Sequence, residues 1–527
     1  MSGRFSTLQA FLETRASVVI LPLTVFLLVV LIEFSAILLL NEGKLIFTLD
    51  DAYIHLALAE NIRHGHYGVN LQECSSPSSS IIWPFLLAPF AHLSCSSYII
   101  LTISLLASVG TLLVCGKIVA NVAEPFQHPS RYLFAAIVTT FLILATNLIG
   151  LIFQGMEHPL QLFWTVVVIY GLICERQDEP LSWSLFAGII LGPLVRYENL
   201  AVSLTALVYL FVRGHRKAAI ICAVALVAGV AWFSLFLHKI GLPVFPASVL
   251  IKSRVVSTGG NLVSVLKNVR VSLLKSKGPL LALSTVPLVY VMLSPGRATR
   301  RRLLAFTIVF AMALHLIVGR PGSYSRYEIY IWTSTVLTVI HLHGSWLKNL
   351  LRDQGILRTS VLLGLLAVST SVPYLDALIF TPLGSNNIYE QQYQMNRFIT
   401  QYYRDPVAVN DLGWVSYRND EYVLDIWGLG SVEALRARQD SDSRDWINDL
   451  MSKHNVKLAM VYDTWIPQAP DNWIVVGKLY LGKTRITPAH HVVTFYATDQ
   501  ITHQRTLALM QEFKKSLPRR VRVALMQ

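Results

Sequence analysis

Residues 16–40 run for about 25 positions with only Pro22 and Glu33 interrupting them, and a helix needs roughly 20 apolar residues to cross a bilayer core. The run is too long and too poorly flanked for a cleaved signal peptide, so it is expected to persist as a first span. Comparable runs follow at 98–120, 132–153, 160–174, 218–237, 280–293, 303–318, 329–346 and 361–380. Residues 183–209 are also apolar but are broken by Pro193, Arg196, Glu198 and Asn199. They read as two short spans meeting near Arg196, because charges at such a break face protein or water. The expected fold is a polytopic α-helical membrane protein with about 11 transmembrane helices.

Composition agrees: of 527 residues, 54% are hydrophobic and 14% charged, too apolar for an ordinary soluble protein. A net charge of +13 would suggest a nucleic-acid partner in a soluble chain. Here the basic residues gather in short loops such as 213–217 and 297–302, the pattern of cytoplasmic loops, so no nucleic acid is expected. An inside N-terminus and an odd number of spans leave the C-terminus outside. The exception is the outer loop 238–278, which carries Lys239, Lys252, Arg254, Lys267, Arg270, Lys275 and Lys277. Leu262, Leu266, Val269 and Leu273 form a stripe there, which reads as an interfacial helix on anionic head groups.

Directly after the first span come two adjacent carboxylates, Asp50 and Asp51. Ile54, Leu58 and Ile62 then repeat at the spacing of one helix face, while Asp51 and His55 share another. A short amphipathic helix on the outer membrane surface is expected, with both carboxylates at the positive end of its dipole. Such a carboxylate is poised as a base or a cation ligand. Asp is equally a preferred N-cap, and spacing alone leaves both readings open.

The segment DDAYIHLALAENIRHGHYGVN, followed by the Ser-Pro of SSPSSSIIWP, resembles the first-loop motif of bacterial GT-C glycosyltransferases, and the arabinofuranosyltransferase-like branch carries a similar DDAY. These are multi-span enzymes that take sugars from polyprenyl-phosphate donors with inversion at the anomeric carbon. The resemblance implies Asp50 as the base, with Asp51 supporting the helix start or a cation, and Tyr53 and His55 beside them. GMEHPLQ is similar to the Gly-x-Glu that opens a helix in that family, which brings in Glu157 and His158. LVRYEN resembles its Arg-Pro-Glu turn with Tyr197 in place of proline, giving Arg196 and Glu198. GLPVFPASVLIKS resembles its Leu-Pro-Asn-Thr-x-x-x-Lys stretch, without the asparagine, and points to Lys252. SRYEIYIW resembles its Arg-Tyr at the start of a later span, giving Arg326 and Tyr327. By the same resemblance Lys252, Arg326 and Arg196 would bind the donor phosphate, on the outer side of a bacterial cytoplasmic membrane. The acceptor would be a glycan, glycolipid or protein. A cofactor is left open, with a divalent cation on Asp50 and Asp51 if one is used.

From residue 383 the composition becomes that of a soluble α/β domain, so the division expected is a membrane domain 1–382, with outer loops 41–97 and 238–278, and an extracytoplasmic domain 383–527. Strands are expected at 407–410, 422–426, 456–462, 473–481 and 492–497, and helices at 432–438, 444–454 and 501–514. VAVNDLGWVSYRNDEYVLDIWGL resembles the post-membrane domain of the same relatives. Asp411 and Asp425 are functional or structural strand-end carboxylates, and Trp414, Trp427 and Trp465 stack on sugars or fill the core.

The five cysteines show no metal-ligand spacing. Cys74 and Cys95 both fall outside, where they either bridge or remain free. Without a Walker loop or a dinucleotide fingerprint, nucleotide-driven chemistry is disfavoured and energy must arrive with the substrate. A lipid-linked saccharide transporter is the alternative, but it predicts charge pairs in two repeated halves, and no such repeat is evident. A weaker alternative is a non-catalytic glycan-binding scaffold.

Overall fold

The computed structural model describes residues 14–526 apart from 125–130, 253–260, 275–276, 297, 320–321, 323, 441–444 and 467–469. Arg254 and Lys275 of the basic outer loop therefore lie outside the described residues. So does the side chain of Lys252, at the end of the Ala247–Lys252 helix.

Four helices, Ser17–Leu40, Ser96–Ala123, Arg216–Lys239 and Thr299–Val318, are long and apolar enough to cross a membrane. Leu262–Leu274 and Gly278–Leu293 make a fifth if the pair, bent by 87°, acts as one span. The interfacial helix expected in the outer loop is thus one arm of a bent pair. Shorter apolar helices include Arg131–Ala145, His158–Cys174, Trp183–Val195 and Ile329–Leu342. Length and composition among the described residues do not carry the expected count of about 11.

The expected break at Arg196 is present: Trp183–Val195 ends there in extended backbone, and a short turn at Tyr197–Asn199 leads into Leu200–Val212. A second break, not expected, divides Arg131–Ala145 from Leu148–Ile152 at Asn147, whose φ is 50°. Asparagine is among the few side chains that tolerate this left-handed conformation.

The C-terminal region carries a six-stranded sheet of order β2-β1-β3-β5-β4-β6. Its strands are β1 Val407–Val409, β2 Val423–Asp425, β3 Leu458–Val461, β4 Ile474–Tyr480, β5 Val492–Ala497 and β6 Arg522–Leu525. β1 runs parallel to β2 and β3, and the remaining pairs are antiparallel. Five strands fall where alternation put them. β6 is a short edge strand after a basic turn, with little apolar pattern to mark it.

The first-loop helix corrects an expectation. Asp51–Arg63 is not an amphipathic helix with one exposed face: Ala52 through Ala59 are all buried. The stripe Ile54, Leu58, Ile62 suggested one apolar face, but Tyr53, Leu56 and Ala57 make the other faces apolar too, and such a helix is buried all round. One apolar core joins Ile46–Ala59 residues to Val407, Val409 and Phe495 of the sheet domain. Cys74 and Cys95 are both free thiols.

Candidate active site

Asp50 and Asp51 are adjacent in sequence and face different parts of the molecule. Asp50 precedes its helix without capping it. Its Oδ2 accepts from the Gly413 N–H at 2.6 Å and its Oδ1 from the Trp414 N–H at 2.8 Å, so it caps a turn of the sheet domain instead. Glycine is required at that approach, because a Cβ on Gly413 would stand 2.6 Å from the Asp50 Cγ. Trp414 stacks on Tyr53 with ring centroids 3.9 Å apart, and the Tyr53 hydroxyl accepts from the Phe47 N–H at 3.0 Å. Tyr53 therefore belongs to the seam between the two regions.

The buried Asp411 carboxyl stands close enough to Asp50 for each to act on the other's hold on a proton. Asp411 Oδ2 accepts from Gln392 Nε2 at 2.8 Å and from the Tyr462 hydroxyl at 3.1 Å. Burial, followed by the charge of Asp411, pushes the Asp50 carboxyl well above the ordinary range. Burial, with the Asp51 charge adding to it, pushes Asp411 up to about 6. Asp411 was one of two strand-end carboxylates open to either reading. The other, Asp425, accepts from the Trp427 and Gly430 N–H groups of its own loop and is structural.

Asp51 turns the other way, toward the membrane helices. Its side chain, 29% exposed, accepts from Arg326 Nη2 at 2.8 Å. Arg326 is 5% exposed and also reaches the Tyr327 hydroxyl at 3.1 Å through the same nitrogen, while its buried Nε and Nη1 have no partner among the described residues. The segment that presents it is unusual: Tyr324 and Ser325 both have φ 57°, a conformation that costs a non-glycine residue about 1–2 kcal/mol. Gln154 Nε2 donates to the Tyr324 carbonyl at 3.1 Å and Asn147 Nδ2 to the Ser325 carbonyl at 3.2 Å. Lys277, from the basic outer loop, reaches the Ser325 hydroxyl and lies 3.7 Å from Glu328.

Beside this stands an ion cluster of one guanidinium and two carboxylates. Arg196 Nη1 donates to Glu157 at 2.5 Å, and its Nη2 and Nε donate to Glu198 at 2.5 and 3.1 Å. His55 Nε2 lies 3.6 Å from the other oxygen of Glu157. All three Arg196 nitrogens are thus engaged by carboxylates. The Tyr327 ring lies between the two guanidiniums, 5.3 Å from that of Arg196 and 4.9 Å from that of Arg326, with the His158 ring 6.0 Å away. Tyr327 and Glu198 also line an apolar cavity of about 330 Å³ with Tyr197, Phe245 and Tyr330.

The structure therefore brings Asp50, Asp51, Tyr53, His55, Glu157, His158, Arg196, Glu198, Arg326 and Tyr327 into one neighbourhood. Among the described residues no group of three or more His, Cys, Asp or Glu side chains is arranged to hold a metal ion. Sequence reasoning passed over Asn147 and Gln154, whose only signal was a carboxamide in or beside an apolar run, and Gln392, which stands unmarked in a polar stretch.

A family model described as a domain of unknown function (DUF8728) matches residues 386–496. No curated protein matches the chain. Among solved structures, the chain is similar to the Archaeoglobus fulgidus oligosaccharyltransferase in its apo form, at 13% identity and a TM-score of 0.47, over 91% of this chain and 74% of that one. It is similar to Archaeoglobus fulgidus AglB in complex with an inhibitory peptide and a dolichol-phosphate, at 12% identity and a TM-score of 0.45, over 91% of this chain and 74% of that one. It is also similar to ArnT from Cupriavidus metallidurans bound to undecaprenyl phosphate, at 12% identity and a TM-score of 0.46, over 92% of this chain and 98% of that one.

Proposed function

We propose that the chain is a GT-C-type membrane glycosyltransferase that moves a sugar, with inversion, from a polyprenyl phosphate to a hydroxyl acceptor on the outer side of the cytoplasmic membrane. The observation that carries this reading is Arg326. A buried guanidinium with two nitrogens unmatched among the described residues, paired to a carboxylate and followed in the chain by Tyr327, which lines an apolar cavity, suits an anion whose remainder is hydrophobic. The first-loop resemblance supplies the class of reaction.

Inverting transfer needs a base and a leaving-group clamp on opposite faces of the sugar, and Asp50 and Asp51 divide in that sense. Asp51 is tied to Arg326, on the phosphate side. Asp50 faces the sheet domain, where Asp411 raises its affinity for a proton, so Asp50 is the base. The acceptor hydroxyl gives its proton to this carboxyl pair as its oxygen bonds to the anomeric carbon. The bond from that carbon to the phosphate oxygen breaks, and its electron pair leaves on the phosphate held by Arg326. Arg196, held by Glu157 and Glu198, supports Tyr327 and through it Arg326. A divalent cation is not required by this scheme.

The test is transfer from a panel of radiolabelled polyprenyl-phosphate sugars by purified protein in liposomes. Label moving from lipid to a hydroxyl acceptor, and lost in Arg326→Gln, is the expected result. Movement of intact lipid-linked saccharide across the bilayer without transfer would replace this reading with the transporter.

A further inference from the structure

Arg326 cannot hold its place alone, because the two residues before it occupy a conformation that L side chains avoid. Tyr324 and Ser325 are consecutive left-handed residues, and neither is Gly, Asn or Asp. Such a pair persists only where its surroundings over-determine it. Its two backbone carbonyls are each taken by a side-chain amide from one short segment: Gln154 on Tyr324 and Asn147 on Ser325. Asn147 and Gln154 flank the Leu148–Ile152 helix and are 1% and 0% exposed. Each uses its NH2 on the Arg326 segment, and its own carbonyl oxygen is buried without a partner among the described residues.

The same segment reaches other parts of the site. The Phe153 carbonyl accepts from the Thr48 N–H at 2.9 Å, two residues before Asp50. Glu157, three residues after Gln154, holds Arg196. Gly150 is also fitted to the arrangement, since a Cβ there would lie 2.1 Å from Asn147 Oδ1.

We propose that Asn147 and Gln154 are positioning residues of the anion site: their carboxamides lock Tyr324 and Ser325 in the left-handed conformation and so fix where the Arg326 guanidinium stands. The inference rests on the reading of Arg326 as the phosphate clamp, and the experiment separates the two. Affinity for undecaprenyl phosphate is measured on the full chain in lipid nanodiscs, together with thermal stability. Arg326→Gln tests the clamp itself. Asn147→Gly keeps the left-handed backbone and removes the amide, and Gln154→Met keeps the volume and removes the donor. Each is expected to weaken binding about tenfold, the scale of one lost hydrogen bond, with the melting temperature nearly unchanged. Adding Ser325→Gly to Asn147→Gly is expected to restore most of the affinity, because glycine adopts the left-handed conformation without being held. Should Asn147→Gly fail to fold, Gly150→Ala displaces the same amide and is read in the same way. Unchanged affinity in the Asn147 and Gln154 variants, with affinity lost in Arg326→Gln, overturns the positioning role and leaves the clamp standing. Unchanged affinity in Arg326→Gln overturns both. Affinity lost together with stability, and not restored by Ser325→Gly, reduces the two amides to structural supports and also overturns the proposal.

Discussion

The His158–Cys174 and Leu200–Val212 helices pack together, and each ends in charge at both termini. At one end Glu157 and Glu198 meet Arg196. At the other, about 25 Å away along a 17-residue helix, Glu175 meets Arg213. Glu175 is buried and surrounded: it accepts from the Tyr209 hydroxyl at 2.9 Å and from Arg213 Nε at 3.1 Å, with His215 Nε2 at 3.0 Å and Arg300 Nε at 3.7 Å. One carboxylate there ties together the ends of several helices, and its cations all converge on it. At the Arg196 end the guanidinium nitrogens are likewise all engaged, but Arg326 stands next to it with two buried nitrogens unmatched among the described residues. The same helices and the same kinds of residue thus make a finished cluster at one end and an unfinished one at the other. A buried donor without a partner is costly, which is why the proposed anion is placed at Arg326.

The comparison can be broken most forcefully at the finished end. Glu175→Ala leaves Arg213, His215 and Arg300 facing one another, and the expected loss of stability is about 3 kcal/mol, the low end for a broken buried pair because its partners are partly exposed. Thermal unfolding in detergent reads it. Donor affinity of the protein that remains folded should not change, and if it does, the two ends are not independent. Next in size is Asp50→Asn, for which turnover should fall about 100-fold, as for loss of a general base. Asn also offers one acceptor oxygen to two N–H groups, so the sheet domain should become easier to cleave in limited proteolysis. Wild-type turnover in Asp50→Asn would move the base elsewhere.

The finished and unfinished ends were not equally legible in the sequence. Charges inside an apolar run stood out, which is why Arg196 and Glu198 were singled out and the break at Arg196 was foreseen; the Asp50–Asp51 pair stood out as adjacent carboxylates after a span, and Arg326 through the resemblance of SRYEIYIW. Strict alternation located five of six strands, and β6 had too little of it. What could not be read was partnership across hundreds of residues: nothing near Asp411 says that it meets Asp50, and nothing near Asp50 says that its oxygens serve Gly413 and Trp414. The first-loop helix was misread because three apolar residues at one helical spacing hid the apolar residues on its other faces. Asn147 and Gln154 were invisible for a different reason, since a neutral amide in an apolar run announces no chemistry until the carbonyls it meets are known.

A smaller effect sharpens the role of the sheet domain. Asp411→Asn removes the carboxyl beside Asp50 and leaves the two backbone amides in place, so turnover should fall about tenfold, less than for loss of the base itself. The pH profile is the decisive readout. Asp411 is pushed up to about 6 from an ordinary value near 3.8. The folded protein therefore holds its proton where the unfolded chain has lost it, and the stabilisation from this proton is complete below about 4 and lost as pH rises through about 6. Turnover has the opposite slope, because the base must be free of its proton. Wild-type activity should fall as pH drops through the range where the Asp50 carboxyl takes up its proton, while resistance of the sheet domain to proteolysis increases below about 6, and Asp411→Asn should flatten the stability profile and move the activity profile to lower pH. A profile unchanged by the substitution would separate Asp411 from the base.

The smallest effect lies back at the finished end. Arg300 Nε is 3.7 Å from Glu175 and the side chain is 36% exposed, so it sits at the edge of the cluster with solvent on one side. Exposed pairs of this kind contribute about 0–1 kcal/mol, and Arg300→Gln should cost no more than that through the ion pair. Arg300 also donates to the Ile173 carbonyl at the end of the His158–Cys174 helix, a contact Gln is too short to keep in the same form. The two contributions separate by salt: the ion-pair part shrinks as ionic strength rises, and the bond to the helix end persists. The melting temperature of Arg300→Gln should thus lie slightly below wild type at low salt and approach it, without reaching it, at high salt. Tyr209, Arg213 and His215 would still face Glu175, so transfer activity should be untouched. A drop in stability as large as that of Glu175→Ala would mean that the cluster was held by its outermost cation, and that the inner end is no more complete than the outer one.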